Sequence, residues 1–370
     1  MENNVSYQKD QQMNSKTDIT TLSLRKRFDL FRQWQWFEAF GLTVPSIRIR
    51  WYLFSMLSAA VIGEWIGIMG FLINEDLPST TWMVTVTNCG FVPMIVYCLY
   101  YIVVTGSRPD LIVEAGFAML ASNASLFYHF CAIPQQLDFC TDSDQGRDEE
   151  IYDDLMHHDF AVSYFMFAVA LLVVTDIQDL FLKCSIYGTT YYLCWKAMET
   201  RNNRSGEVDA EEFQAAILLS FGLFVCRLLH VLWTVRQQLP ASDLSNRLPR
   251  TIRALFQVVR FFSPVPFVLG SLFLTFGMLC NKKWTDNSAS EGDSSYTTPH
   301  GFWHLLTQGS AVFVVWIAVD FSARWRDVAE NGFDSSRDVD TDAADSKKNA
   351  SVTSSSVDVE MQAAAIRGGE

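Results

Sequence analysis

Apolar residues in this chain gather into long runs separated by short polar loops. A helix needs roughly 20 apolar residues to cross a bilayer. Backbone groups surrounded by lipid must be satisfied within the segment, which selects helices over open strands. Eight runs have this character: Trp51–Ile73, Trp82–Thr105, Leu111–Cys131, Phe160–Thr175, Leu180–Met198, Phe213–Val235, Phe261–Cys280 and Phe302–Phe321. The second carries no charged residue, the fourth is short, and the fifth contains Lys183. So many in succession exclude buried helices of a soluble core and predict an all-α, polytopic membrane bundle over residues 51–321. It is flanked by a cytosolic N-terminal part, 1–50, and a C-terminal tail, 322–370. Within the seventh run Pro264 and Pro266 are expected to bend the helix.

The flanks add an orientation. Arg25, Lys26, Arg27, Arg32, Arg48 and Arg50 precede the first run, and short basic flanks stay cytosolic. Eight crossings return the C-terminus to the cytosol, where Arg324 and Arg326 follow the last run. The loop Asp138–Asp154 is strongly acidic and falls outside. The sequon Asn203-Arg204-Ser205 falls on an outer loop, whereas Asn123-Ala124-Ser125 lies inside a run. Fifty residues before the first run leave it as an anchor and not a cleaved leader. The location expected is the plasma membrane or another membrane of the secretory pathway. Phe28, Phe31, Trp34, Phe37 and Phe40 recur every third residue among basic neighbours. Two readings stay open there, a helix lying on the inner leaflet or a segment packed against the bundle. Both tails, Met1–Ser23 and Asp327–Glu370, lack apolar periodicity and read as disordered.

A net charge of −13 argues against a nucleic-acid partner and leaves membrane lipids as the expected one. Most of the eight cysteines lie within the runs, where they act as small apolar residues. Cys131 and Cys140 instead flank a short outer segment and are predicted to form a disulfide.

Ionisable residues inside a membrane are costly, so each needs a reason. Ser125 and His129 stand at i and i+4 near the outer end of the third run. Asp159 opens the fourth run, and His300 and His304 stand at i and i+4 where the eighth begins. Three distant segments thus bring three imidazoles, a carboxylate and a hydroxyl to one depth. Three imidazoles and a water make an open tetrahedral zinc site. Zinc lowers the pKa of its water to about 7. A nearby carboxylate can take the proton, and a serine can hydrogen-bond the developing oxyanion. Histidines at a helix end are also common interfacial caps, and that reading stays open on the residues alone.

These motifs resemble a known set. Ser125-x-x-x-His129, an Asp at the next run's start and a final His-x-x-x-His are similar to the superfamily joining alkaline ceramidases with progestin and adiponectin receptors. Glu114-Ala115, Ser125-Leu126-Phe127-Tyr128-His129-Phe130-Cys131, Asp159-Phe160 with Ser163, and His300-Gly301-Phe302-Trp303-His304-Leu305-Leu306 with Gly309-Ser310-Ala311 resemble the transmembrane protein eight and myomaker branch. The resemblance spans about Thr85 to Trp316. It implies a seven-helix core preceded by one extra helix, zinc held by His129, His300 and His304, and Asp159 and Ser125 beside the metal. Ala132 departs from the acidic residue usual after the matching cysteine, and the loop to Asp159 is longer than usual.

Two functions follow as expectations. One is an intramembrane zinc hydrolase acting on an amide or ester of a membrane lipid, ceramide-like or a lipid anchor, with Asp159 and Ser125 in the chemistry. The other is a non-catalytic remodelling, fusion or receptor-like protein whose zinc is structural. Among the remaining polar residues, His157 and His158 are expected solvated on the outer loop. Glu114 is expected to pair with Arg227 or Lys183, and Glu64 lies mid-run without an assigned partner.

Overall fold

The computed structural model describes residues 23–40, 42–74, 86–131, 141–142, 146–147, 149–203, 210–239, 249–286 and 294–332. Residues 1–22 and 333–370 of the tails, Cys140 and part of the acidic loop lie outside these residues, whereas residues 327–331, expected in a disordered tail, are helical. Among the described residues the α-helices are α1 Leu24–Arg32, α2 Trp36–Ala39, α3 Ile47–Asn74, α4 Val92–Leu99, α5 Ile112–Cys131, α6 Glu149–Leu172, α7 Leu180–Asn203, α8 Ala210–Gln238, α9 Arg250–Phe261, α10 Pro264–Asp286 and α11 Ser294–Asn331. A 3₁₀ turn, Asn88–Phe91, leads into α4, and a π turn, Tyr100–Thr105, continues it. Two short antiparallel pieces, β1 Thr141–Asp142 and β2 Gly146–Arg147, pair between α5 and α6.

Six segments are long and apolar enough to cross a membrane: Ile47–Phe71, Asn88–Thr105, Pro109–Cys131, Ile151–Thr175, Phe213–Gln238 and Thr298–Glu330. A seventh arises if the bent pair α9 and α10 counts as one. The chain is thus helical and multi-pass in character, with fewer apolar spans than the eight runs predict. The difference is α7. It has the length of a span and packs between α6 and α8, but Lys183, Lys196, Glu199 and Arg201 dilute its apolarity.

Several boundaries move. Asp159 does not open a helix, because α6 begins at Glu149 and carries it in its interior. His157 and His158 are therefore helical and not loop residues; His157 is buried, with its ring 4.1 Å from that of Trp195. Pro264 and Pro266 do not bend α10 from within. They occupy its first turn, where a proline's missing N–H costs nothing, and the 68° bend lies just before them. Phe262 there is extended, with ψ 118°.

Local chemistry explains how the helices settle. Asp179 accepts the backbone N–H of Leu182 at 2.9 Å and caps α7. That bond, reinforced by the Arg32 guanidinium, holds the half-buried Asp179 carboxyl below the usual carboxylate range. The N-terminal aromatics do not form one helix, since Trp34 takes φ +64° and breaks α1 from α2. Trp34 is buried and donates its indole N–H to the Gln178 carbonyl at 2.9 Å, while Phe28 stacks on Phe181. Contacts with the bundle thus fix this segment, with Phe28, Phe37 and Phe40 still half exposed.

Helix α3 docks at both ends. Trp65 packs with Leu126 and Phe130 of α5. Arg50 donates to the carbonyls of Val104 and Thr105 at 3.4 and 3.5 Å, satisfying the end of the π turn. Gly106 follows at φ +65°, a left-handed conformation glycine adopts without strain. Glu64 faces away from the bundle and has no ion pair among the described residues. Helices α10 and α11 pack along most of their length through small residues, as membrane helices do. A methyl group on Gly277 would come within 2.8 Å of the Thr307 side chain.

The start of α5 is held by charge. Asp110 accepts two hydrogen bonds from Arg108 at 2.8 and 2.9 Å and one from Lys183 at 2.9 Å. Lys183 also lies 2.8 Å from Glu114, which accepts the Tyr187 hydroxyl at 2.6 Å. Of the two partners expected for Glu114, the structure selects Lys183. Arg227 pairs instead with Asp176 at 3.3 Å and stacks on Trp325. Asp176 gathers Arg108 and Arg326 as well, each at 3.4 Å.

Cys131, at the other end of α5, is disulfide-bonded. Its expected partner, Cys140, lies outside the described residues, and the six cysteines other than these two are free.

Candidate metal centre

Helix α5 carries His129 on its last turn, one turn beyond Ser125. Helix α11 presents His300 and His304, again one turn apart. Packing of the two brings all three imidazoles together in a buried site. Nε2 of His304 lies 3.1 Å from Nε2 of His129 and 3.0 Å from Nε2 of His300. One ligand atom from each lies within 4.8 Å of the others, so the triad could hold a metal ion. The residues are 7, 4 and 2% exposed.

Asp159 stands apart from the three nitrogens. Its carboxyl is buried and faces Ser163, whose hydroxyl donates to Oδ1 at 3.5 Å. The Ser125 hydroxyl also interacts with Asp159, without reaching the geometry of a good hydrogen bond. The sequence-predicted residues thus divide into a nitrogen triad and, one helical turn along α5, a carboxyl–hydroxyl group. His157 and His158 join neither; both rings flank Trp195.

Four contributors are absent from the sequence reading. The Gln308 amide lies 3.3 Å from Nδ1 of His304 and 2.9 Å from Oδ1 of Asn88. The Asn88 turn is pinned by Ser122 of α5, whose hydroxyl donates to the Asn88 carbonyl at 2.7 Å. Gly90 permits the approach, since a methyl group there would come within 2.9 Å of Gln308 Cβ and 3.2 Å of the Leu305 carbonyl. Gln308 carries a sequence signal, being four residues beyond His304 on the same helical face. Asn88 and Gly90 carry none, because their contact with α11 spans more than two hundred residues of chain.

A cavity of about 110 Å³ opens beside the triad between α6, α10 and α11. Ser163, His304 and Gln308 lie at its polar head, and Phe91, Met166, Leu274 and Val314 form apolar walls. Phe167, 39% exposed, borders its side towards the outside of the bundle. No family model, curated protein or solved structure matches the chain.

Proposed function

We propose that this chain is an intramembrane zinc-dependent hydrolase that cleaves an amide or ester bond of a membrane lipid. The observation that carries this reading is a buried triad of imidazole nitrogens at the head of an apolar cleft, with a carboxyl–hydroxyl group one helical turn away. The donor set suits zinc. Ligands at about 2.0–2.1 Å in a tetrahedron stand about 3.3 Å apart, close to the 3.0 and 3.1 Å between the His Nε2 atoms.

His129, His300 and His304 would hold the ion through their imidazole nitrogens. Bound zinc supplies Lewis acidity and eases deprotonation of water. Asp159 takes the proton of the attacking water at its carboxylate, and the hydroxyl of Ser163 keeps that carboxylate oriented. Ser125 hydrogen-bonds the developing oxyanion. The apolar walls receive the lipid's acyl chain and exclude bulk water. For His304 to offer Nε2, its proton must sit on Nδ1, facing Gln308. A half-turn of the Gln308 and Asn88 amides exchanges O for N in place and supplies the acceptor. Gln308→Leu is therefore expected to weaken zinc binding about 10- to 100-fold, measured by chelator competition, as loss of such an outer partner does elsewhere. Affinity equal to wild type would remove Gln308 from the site.

The same reading places the chain with the transmembrane protein eight and myomaker branch, as seven core helices preceded by α3, in the plasma membrane or secretory pathway. Both termini face the cytosol. The disulfide at Cys131 supports an oxidising compartment on the histidine side. Tags at both ends should survive protease added to intact cells, and loss of one tag alone would mean an odd number of crossings. Metal analysis of the purified full-length chain, coupled to detection of lipid products, tests the activity. Stoichiometric zinc without product from ceramides, phospholipids or glycolipid anchors would leave the structural-zinc reading.

A further inference from the structure

Helix α9 stands outside the proposed catalytic arrangement, and its residues fall into three faces. Ala254, Val258 and Phe261 are buried against the bundle. Ile252, Leu255, Phe256 and Val259 form a second stripe at helical spacing and are 39, 52, 59 and 58% exposed. Arg250, Arg253 and Arg260 form the third, where Arg250 donates to the Gln237 and Leu239 carbonyls at the end of α8, and no Asp or Glu occurs from Pro249 to Ser263.

Its angle to α10 is 68°, so when α10 crosses the bilayer α9 lies nearer the membrane plane than the normal. The bend is held by side chains. Arg324 of α11 donates to the Arg260 carbonyl at 2.6 Å and to the Ser263 hydroxyl at 3.2 Å. The Ser263 hydroxyl in turn donates to Asp320, whose carboxylate also accepts the Trp316 indole N–H at 3.1 Å. Asp320 lies about 30 Å along α11 from His300 at about 1.5 Å per residue, so α9 belongs to the opposite leaflet.

We infer that α9 is an interfacial helix that binds anionic phospholipid headgroups in the leaflet remote from the histidine triad. An apolar stripe, a separate all-basic face and a fixed bend from a span are what such a helix needs. The apolar stripe enters the acyl boundary while Arg260 meets phosphate and carboxylate groups. Arg260 is exposed, and among the described residues no ion pair engages its guanidinium. The inference rests on membrane embedding alone and not on zinc or hydrolysis.

The test uses the full-length chain in phosphatidylcholine bilayers doped with spin-labelled phosphatidylserine or phosphatidylcholine. Electron spin resonance reads the fraction of each lipid immobilised by the protein. Wild type should favour phosphatidylserine several-fold, and the preference should fall with added salt. Arg260→Gln, a surface change expected to fold normally, should reduce it by up to about five-fold, the scale of one arginine at a charged surface. Equal association of both lipids with wild type would overturn the inference, including the case in which a second copy covers α9. So would a preference that Arg260→Gln leaves intact. Zinc content measured on the same samples keeps this outcome separate from that of the metal site.

Discussion

Changing His304 to alanine should abolish stoichiometric zinc binding. Its Nε2 is the central atom of the triad, within 3.1 Å of both partners. His129→Ala and His300→Ala should each lower occupancy, and a strong chelator should reproduce the loss in the wild-type chain. Asp159→Asn should separate from these. Its carboxyl is not among the converging ligand atoms, so zinc should stay bound while turnover falls by two to four orders of magnitude, about the contribution of a general base. Metal content by mass spectrometry and product formation on the same preparation distinguish the two classes. Zinc that survives loss of both His300 and His304 would end the metal proposal. An Asp159→Asn chain that keeps full turnover would remove Asp159 from the chemistry.

Lys183→Met is expected to destabilise the fold by about 3–5 kcal/mol, the usual cost of leaving buried charge without its partner. Lys183 is 2% exposed and lies 2.9 Å from Asp110 and 2.8 Å from Glu114. Asp110 retains Arg108, so Glu114 bears most of the loss. Adding Glu114→Gln to Lys183→Met should therefore restore part of the stability. Thermal unfolding of the solubilised chain reads both steps. A single variant as stable as wild type would show that the network contributes orientation without net stability.

The span pattern is legible in the sequence wherever one helix faces lipid on its own. Ile47–Phe71 and Phe213–Gln238 announce themselves because few of their residues are buried and the outward face must be apolar. Helix α7 is harder to read because its polar residues are answered by other helices, and no local pattern shows that Lys183 meets Asp110 across more than seventy positions. The histidine triad could be read because i, i+4 spacing places ligands on one face and equal depth brings two helices together. Asp159 was misplaced as structure: the acidic stretch before it looks like loop, yet it forms the first turns of α6. The bend before Pro264 shows the same limit. A proline inside an apolar run reads as a kink, whereas here the chain restarts a helix at it, as the bond from Ser263 to Asp320 of α11 records. The amphipathic faces of α9 were hidden within a reading that followed mean apolarity and not its direction around the helix.

The pairing of Lys183 with acids on α5 bears on how the chain is made. During synthesis α5 leaves the ribosome before α7, so Asp110 and Glu114 enter the membrane ahead of their cation. Arg108, two residues from Asp110, can neutralise that carboxylate at once, but Glu114 must wait for α7. Helix α7, for its part, carries a lysine that lipid alone accepts poorly. Helix α7 is therefore poorly suited to partition into the bilayer singly. The charges of the two helices instead favour release from the insertion machinery as a preassembled pair, which makes the order of translation part of the folding route.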